Sequence, residues 1–153
     1  MNSTLGSVDN FYRHEVVGIA RSWCGTPYHH QASRQGVGVD CLGLVRGVYR
    51  TLYGLEAEQF PPYSADWGEA TGEETLLGAA HRNLVAKGIG VRKPGDILVF
   101  RMRRCAVAKH AAIMTSEDAM VHAIERIGVV EVPIRRWWIR RLAGVFSFPG
   151  IND

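Results

Sequence analysis

The order of its hydrophobic periodicities limits this chain most: helical spacing fills the first half, and strand alternation follows Pro94. Between Asp9 and Trp23 the apolar residues Phe11, Val16, Ile19, Ala20 and Trp23 recur at helical spacing. They predict a first helix capped by Ser7 or Asp9. Gly25 and Pro27 end it, and a loop through Gly36-Val37-Gly38-Val39 leads to Asp40-Cys41 and a second helix. There Cys41, Leu44, Val45, Val48 and Leu52 share one face, and Gly54 stands at the C-terminal cap. Gly43 and Gly47 allow that helix a close neighbour. Phe60-Pro61-Pro62-Tyr63 precedes a third amphipathic helix expected from Glu73 to Lys87. After Pro94, GDILVFRM, HAAIMTS, AMVHAIE and GVVEVPI read as short strands separated by turn chemistry. A helical turn at Trp137-Trp138-Ile139 precedes a last strand, Ala143 to Phe148. Helices first and strands afterwards predict an α+β domain, with N-terminal helices packed on an antiparallel sheet, and exclude a doubly wound parallel one. With no repeat, low-complexity segment or long linker, residues 1–153 read as a single domain.

At 46% apolar and 22% charged, the composition is that of a globular protein rather than a disordered one. The net charge of +3 is too small for a dedicated nucleic-acid binder. Arginines fall in two clusters, Arg101, Arg103 and Arg104, then Arg135, Arg136, Arg140 and Arg141. Two solvated faces or a docking surface for a larger assembly account for them. The N-terminus has no positive region followed by an apolar one, so no signal peptide is expected. No run of 18 apolar residues is present, so no membrane-spanning helix is expected either. The three cysteines, Cys24, Cys41 and Cys105, have no CxxC spacing. An odd number without that spacing excludes a disulfide framework and a zinc ribbon and leaves a free thiol.

Thiol chemistry runs through the thiolate, so the reactive cysteine is sought where negative charge is favoured. Cys41 opens a helix, where unpaired N–H groups and the macrodipole favour an anion. Cys24 ends a helix, where the same dipole opposes ionisation. Cys105 sits beside arginines on a loop without an orienting framework; both read as ordinary thiols. A base for Cys41 comes from the strands. A turn centred on Ser116 sets His110 directly opposite His122, on one face and about 4.5–5.5 Å apart between Cβ atoms. A slip of one residue would part them. His110 is then the general base and His122 the residue orienting its ring. His29 and His30 with Cys24 and Cys41 do not form a familiar zinc spacing. His14 and His81 read as surface or satisfied helix residues.

These residues together resemble a known family. GIARSWCGTPYHHQASRQGVGVDCLGLV, then KPGDILVF, KHAAIM and MVHAIE, look like the NlpC-type cysteine peptidases of bacterial cell-wall metabolism, which have a papain-like fold. HQAS…GVGVDCLGLVRGVYR is similar to the phage-tail branch, the phage cell wall peptidases also found in gene transfer agents of alphaproteobacteria. The resemblance runs from Phe11 to Pro149. It implies Cys41 as nucleophile, His110 as base and His122 as the third polar residue. It also implies Tyr28 beside the nucleophile, in substrate or oxyanion binding, and Asp40 in recognition of the stem peptide. The family motif continues DCSG where this chain has DCLG, so a contact through that serine is lost at Leu42. The implied activity is hydrolysis of peptidoglycan stem-peptide amides, often between D-γ-glutamate and a diamino acid, without metal or organic cofactor. The implied partners are the stem peptides and the hub or baseplate of a phage-like tail, not nucleic acid or membrane. Such a component is made in the cytoplasm, joins the virion and acts on the periplasmic wall. An N-acetylmuramoyl-L-alanine amidase or acyltransferase on the same fold, and a catalytically idle tail-tip subunit, are the alternatives.

Overall fold

A computed structural model describes residues 10–60, 62–63 and 71–153. Strand β1 (Phe11–Tyr12) leads into helix α1 (Arg13–Ser22), followed by a small hairpin of β2 (Ser33–Arg34) and β3 (Gly38–Val39). Next come α2 (Cys41–Tyr53), α3 (Thr75–Asn83) and β4 (Val85–Lys87). The remaining strands are β5 (Ile97–Phe100), β6 (His110–Ser116), β7 (Ala119–Ile124) and β8 (Gly128–Pro133). Helix α4 (Arg136–Ile139), β9 (Leu142–Ser147) and β10 (Ile151–Asn152) complete the chain. Six strands form one antiparallel sheet in the order β4-β9-β5-β6-β7-β8. Helices on an antiparallel sheet are the expected α+β architecture.

Two helix boundaries differ from expectation. Helix α1 begins at Arg13 because Phe11 and Tyr12 are extended, pairing in parallel with Ile151 and Asn152. The Glu15 carboxylate accepts the Tyr12 N–H at 2.7 Å, closing the first turn from inside the helix. The proposed caps Ser7 and Asp9 lie outside the described residues. Helix α3 stops at Asn83, whose side-chain amide donates back to the Ala79 carbonyl. Val85–Lys87, expected to be helical, instead forms an edge strand against Val145–Ser147. Long-range pairing there outweighs the helical pattern.

The two helix glycines act as the sequence suggests. A Cβ on Gly47 would come within 2.1 Å of the Trp23 ring, so α1 and α2 meet at that point. A Cβ on Gly43 would come within 1.9 Å of the Ala32 carbonyl oxygen, so the start of α2 lies directly on the 29–32 loop. The core is filled from both sides of the sheet. Val16, Ala20, Leu44 and Val48 pack on Ile97, Val99, Ala111 and Ile113. Leu98, Phe100, Ala112, Met114 and Met120 fill the other face beneath Trp138 and Leu142.

Asp96 ties this frame together. Its fully buried carboxylate pairs with Arg13 Nη1 and Lys87 Nζ, each at 2.8 Å, and accepts from the Ser147 hydroxyl and the Lys93 N–H. Removing it strands two largely buried cations. Asp96→Ala is expected to cost about 3–5 kcal/mol in urea unfolding. A loss under 1 kcal/mol would show that this cluster does not hold the termini to the sheet.

Candidate active site

Cys41 is the first residue of α2, and Asp40 is its N-cap. One Asp40 oxygen accepts the Gly43 N–H at 2.7 Å. The other accepts the Gln31 N–H at 2.7 Å and the Tyr63 hydroxyl. Asp40 is thus 2% exposed and occupied in fixing the helix start to the 29–32 loop and to Tyr63. It still borders the cleft holding Cys41, where the same cap sets the direction of the helix that Cys41 opens. Leu42 points the other way, into the core at 5% exposure. The hydroxyl missing at that position therefore leaves no gap in the cleft wall.

His110 and His122 meet, but not in the expected register. Ile113 faces Val121 and Met114 faces Met120, whereas Ser116 faces Ala119, with an irregularity between Met114 and Ser116. The turn is therefore Glu117-Asp118, and a bulge at Thr115 absorbs one residue. Continued without the bulge, the Ser116–Ala119 register would bring Ile113 opposite His122 and put the two rings on opposite faces. With the bulge, His122 falls across from Ala112. It lies diagonal to His110 on the same face, rather than directly opposite it. Diagonal neighbours are roughly 7–8 Å apart, a span that two imidazoles bridge. His110 Nε2 and His122 Nδ1 are 2.8 Å apart.

Burial governs the charges. The Cys41 thiol, 6% exposed, is pushed up to about 12 by desolvation first and the Asp40 carboxylate second. The N–H groups of Ala111, Leu42 and Cys41 oppose this. The acidified thiolate expected at a helix start is thus not the resting species, because desolvation exceeds the help of the amides. Both imidazoles are pushed down, chiefly by burial, so the pair is neutral at neutral pH. At rest the Cys41 S–H donates to the Lys109 carbonyl, 3.7 Å from Sγ. It makes no hydrogen bond to His110.

That neutrality has a sign in stability. The unfolded histidines take up protons as pH falls through about 6.5, while the folded pair resists, so acid favours the unfolded chain. Thermal melts from pH 7 to pH 4 are expected to lose up to about 1.4 kcal/mol per histidine for each unit below that value. A His110→Gln, His122→Gln double variant should flatten the decline. An equal slope in that variant would assign the acid sensitivity elsewhere.

The cleft of about 320 Å³ adds residues to those the sequence indicates. Tyr28 lines it on an extended loop bridged to Val39. Its phenol is pushed up to about 12, by burial first and the nearby Cys41 and Asp40 next, and so remains a hydrogen-bond donor. Trp138, which the sequence placed only in a helical turn, lies over His110 with ring centroids 5.5 Å apart and planes at 29°. It also meets the His122 ring at 5.2 Å, edge to face. No local pattern indicates this, since α4 and β6 meet only in the folded chain. Trp138→Ala should lower kcat/KM about tenfold, and Trp138→Phe should recover most of it, because an aromatic face stabilises the imidazolium by about 1–2 kcal/mol. Equal activity in all three proteins would remove Trp138 from the site.

The other two thiols lie apart from the cleft. Cys24 is exposed behind the end of α1, and its thiol is pushed up by partial burial and Glu131. Cys105 is exposed in the turn before β6. Among the described residues no three His, Cys, Asp or Glu side chains converge as metal ligands.

A cysteine at a helix start, facing histidines on an antiparallel sheet, has the architecture of the papain-like class. Within that class, the NlpC/P60 family model matches residues 25–146, and the chain belongs to that family. A probable endopeptidase of Haemophilus influenzae is 27% identical over 128 residues, spanning 78% of this chain and 68% of that protein. The NlpC/p60 domain of the peptidoglycan hydrolase SagA superposes with a TM-score of 0.62 at 20% identity, covering 90% of this chain and all of that domain. RipD of Mycobacterium tuberculosis, a non-catalytic NlpC/p60 domain protein adapted to peptidoglycan binding, superposes at 0.53 with 16% identity. It covers 91% of this chain and 98% of that one.

Proposed function

We propose that the chain is a cysteine endopeptidase that hydrolyses amide bonds in peptidoglycan stem peptides, with D-γ-glutamyl–diamino acid as the preferred bond. The observation carrying this reading is a cleft in which Cys41 at the start of α2 faces the hydrogen-bonded His110–His122 pair. Membership of a family that includes peptidoglycan hydrolases supports the substrate class.

In the mechanism, substrate binding completes desolvation and the S–H proton moves from Cys41 to His110 Nδ1. His110 then carries its charge against His122 Nδ1, which accepts the Nε2–H. Sulfur attacks the carbonyl carbon, and the new oxyanion is held by the Cys41 N–H at the helix start and the neutral Tyr28 hydroxyl. His110 returns the proton to the leaving nitrogen as the C–N bond breaks. Water, deprotonated by His110, attacks the thioester; the acid departs and the proton returns to sulfur.

The biological setting in this proposal is a phage-like tail, where the enzyme docks on hub or baseplate proteins and opens the periplasmic wall during DNA delivery. The HQAS…GVGVDCLGLVRGVYR resemblance supports it. Digestion of purified sacculi, with mass spectrometry of the released muropeptides, tests the reaction. New D-γ-glutamyl and diamino-acid ends support endopeptidase action. Free lactyl ends of muramic acid with a released L-alanine amine indicate an amidase instead, and intact sacculi indicate an idle subunit. Immunogold labelling of tail tips tests the setting.

A further inference from the structure

The two arginine clusters, far apart in sequence, fold into one concavity. Arg101, Arg103 and Arg104 from the turn after β5 face Arg140 and Arg141 from the end of α4. The Arg101 N–H donates to the Arg141 carbonyl at 2.8 Å, and Arg141 Nε reaches the Met102 carbonyl at 3.4 Å, so the two segments are tied together. Among the described residues no acidic side chain lines the concavity. Glu74 pairs with Arg101. Arg104 and Arg140 are exposed and have no ion-pair partner among the described residues. Five guanidinium groups therefore gather in one place on a chain whose whole net charge is +3.

Two of them are already oriented. Arg101 Nη1 donates to the Ala106 carbonyl at 2.9 Å. The Arg141 guanidinium stacks on the Trp137 ring, 3.7 Å from its centroid, and donates to the Trp137 carbonyl at 2.8 Å. Like charges held together repel, so the arrangement is suited to a bound anion. Guanidinium forks match planar or tetrahedral oxyanions with two hydrogen bonds each, unlike the point charge of lysine. A carboxylate has two oxygens and one charge, which a single fork occupies. A phosphate group offers more oxygens and more charge, so several converging forks can share it.

We propose that this concavity is a binding site for a ligand bearing clustered phosphate groups, separate from the hydrolytic cleft. The two sites share a wall, because Met102 and Trp138, from the same two segments, line the cleft. A phosphate-bearing polymer or headgroup held here lies beside the bond-breaking site and orients the protein on an anionic surface. The proposal does not depend on the reaction assigned to Cys41, since it is read by binding alone.

The test is calorimetric titration of the whole chain with inorganic tripolyphosphate at about 150 mM salt, where weak surface attraction is screened. One saturable site is expected in the wild type. An Arg104→Glu, Arg140→Glu double variant should bind at least about tenfold more weakly, with an unchanged melting temperature because both residues are exposed. Arg104→Lys, Arg140→Lys should recover only part of the loss. Unchanged affinity in the charge-reversed variant would overturn the site. Hexaglutamate binding as tightly as tripolyphosphate would overturn the phosphate assignment in favour of an acidic peptide. Co-sedimentation with phosphatidylglycerol vesicles that tripolyphosphate competes away would identify a lipid headgroup as the source. Tripolyphosphate binding without co-sedimentation would point to a soluble or wall-borne phosphate.

Discussion

Cys41→Ala and His110→Ala are each expected to reduce muropeptide hydrolysis by about four to six orders of magnitude, and the double variant no further. The reason lies in the resting state. A thiol held at about 12 by burial and Asp40 carries almost no thiolate at neutral pH, so sulfur becomes nucleophilic only as its proton leaves. In the proposed mechanism the neutral imidazole of His110, which lines the same cleft, is the base. Neither group is useful without the other, which is why their losses do not add. Cys24→Ala and Cys105→Ala, both exposed and outside the cleft, should retain full activity. The Cys41→Ala protein should unfold within about 1–2 kcal/mol of the parent, since only a small buried sulfur is lost. Steady-state hydrolysis of a purified muropeptide, with urea unfolding alongside, measures both. Retention of more than a few per cent of activity by Cys41→Ala would sink the nucleophile assignment.

His122→Phe is expected to lower kcat/KM by about 10²–10⁴ while changing stability by no more than about 1–2 kcal/mol. His122 is 1% exposed, and its Nε2 is buried without a partner among the described residues. Phenylalanine removes that unsatisfied atom, at the cost of leaving His110 Nε2 without its 2.8 Å contact. The two changes oppose each other in stability, but only the second matters in the reaction. His110 then lacks the acceptor that fixes its tautomer and shares its positive charge. The loss should fall on kcat rather than KM, with the acid limb of the pH–rate profile displaced. His122→Asn, whose amide oxygen can still accept, should keep more activity than His122→Phe. Equal activities for the two variants would assign His122 to packing.

Asp40 and Trp138 show where reading residues in order stops. Asp40 before Cys41 is legible only through the resemblance, as a residue recognising the stem peptide; that it caps α2 and shares its carboxylate among Gly43, Gln31 and Tyr63 follows from how three segments meet. Trp138 lies in an unremarkable WW pair, and α4 has only four residues. Its place over His110 depends on the chain returning across the sheet after β8. Val85–Lys87 failed as helix for a related reason: an edge strand was open to pairing, and local periodicity carries no information about a vacant edge.

The sequence alone determined the features set by local backbone physics. The apolar face beginning at Cys41 and the cap at Gly54 bound α2, Gly43 and Gly47 permit its close contacts, and alternation after Pro94 makes strands. Cys41 therefore had to open a helix. The tertiary structure decided what depends on distance and solvent. The Thr115 bulge fixed which face His110 and His122 share, because side-chain direction reverses with every residue of register. Burial set the protonation of the thiol and the rings, since desolvation outweighs the helix-end amides. The two arginine clusters became one site when α4 was laid against the turn after β5, a contact between residues nearly forty positions apart.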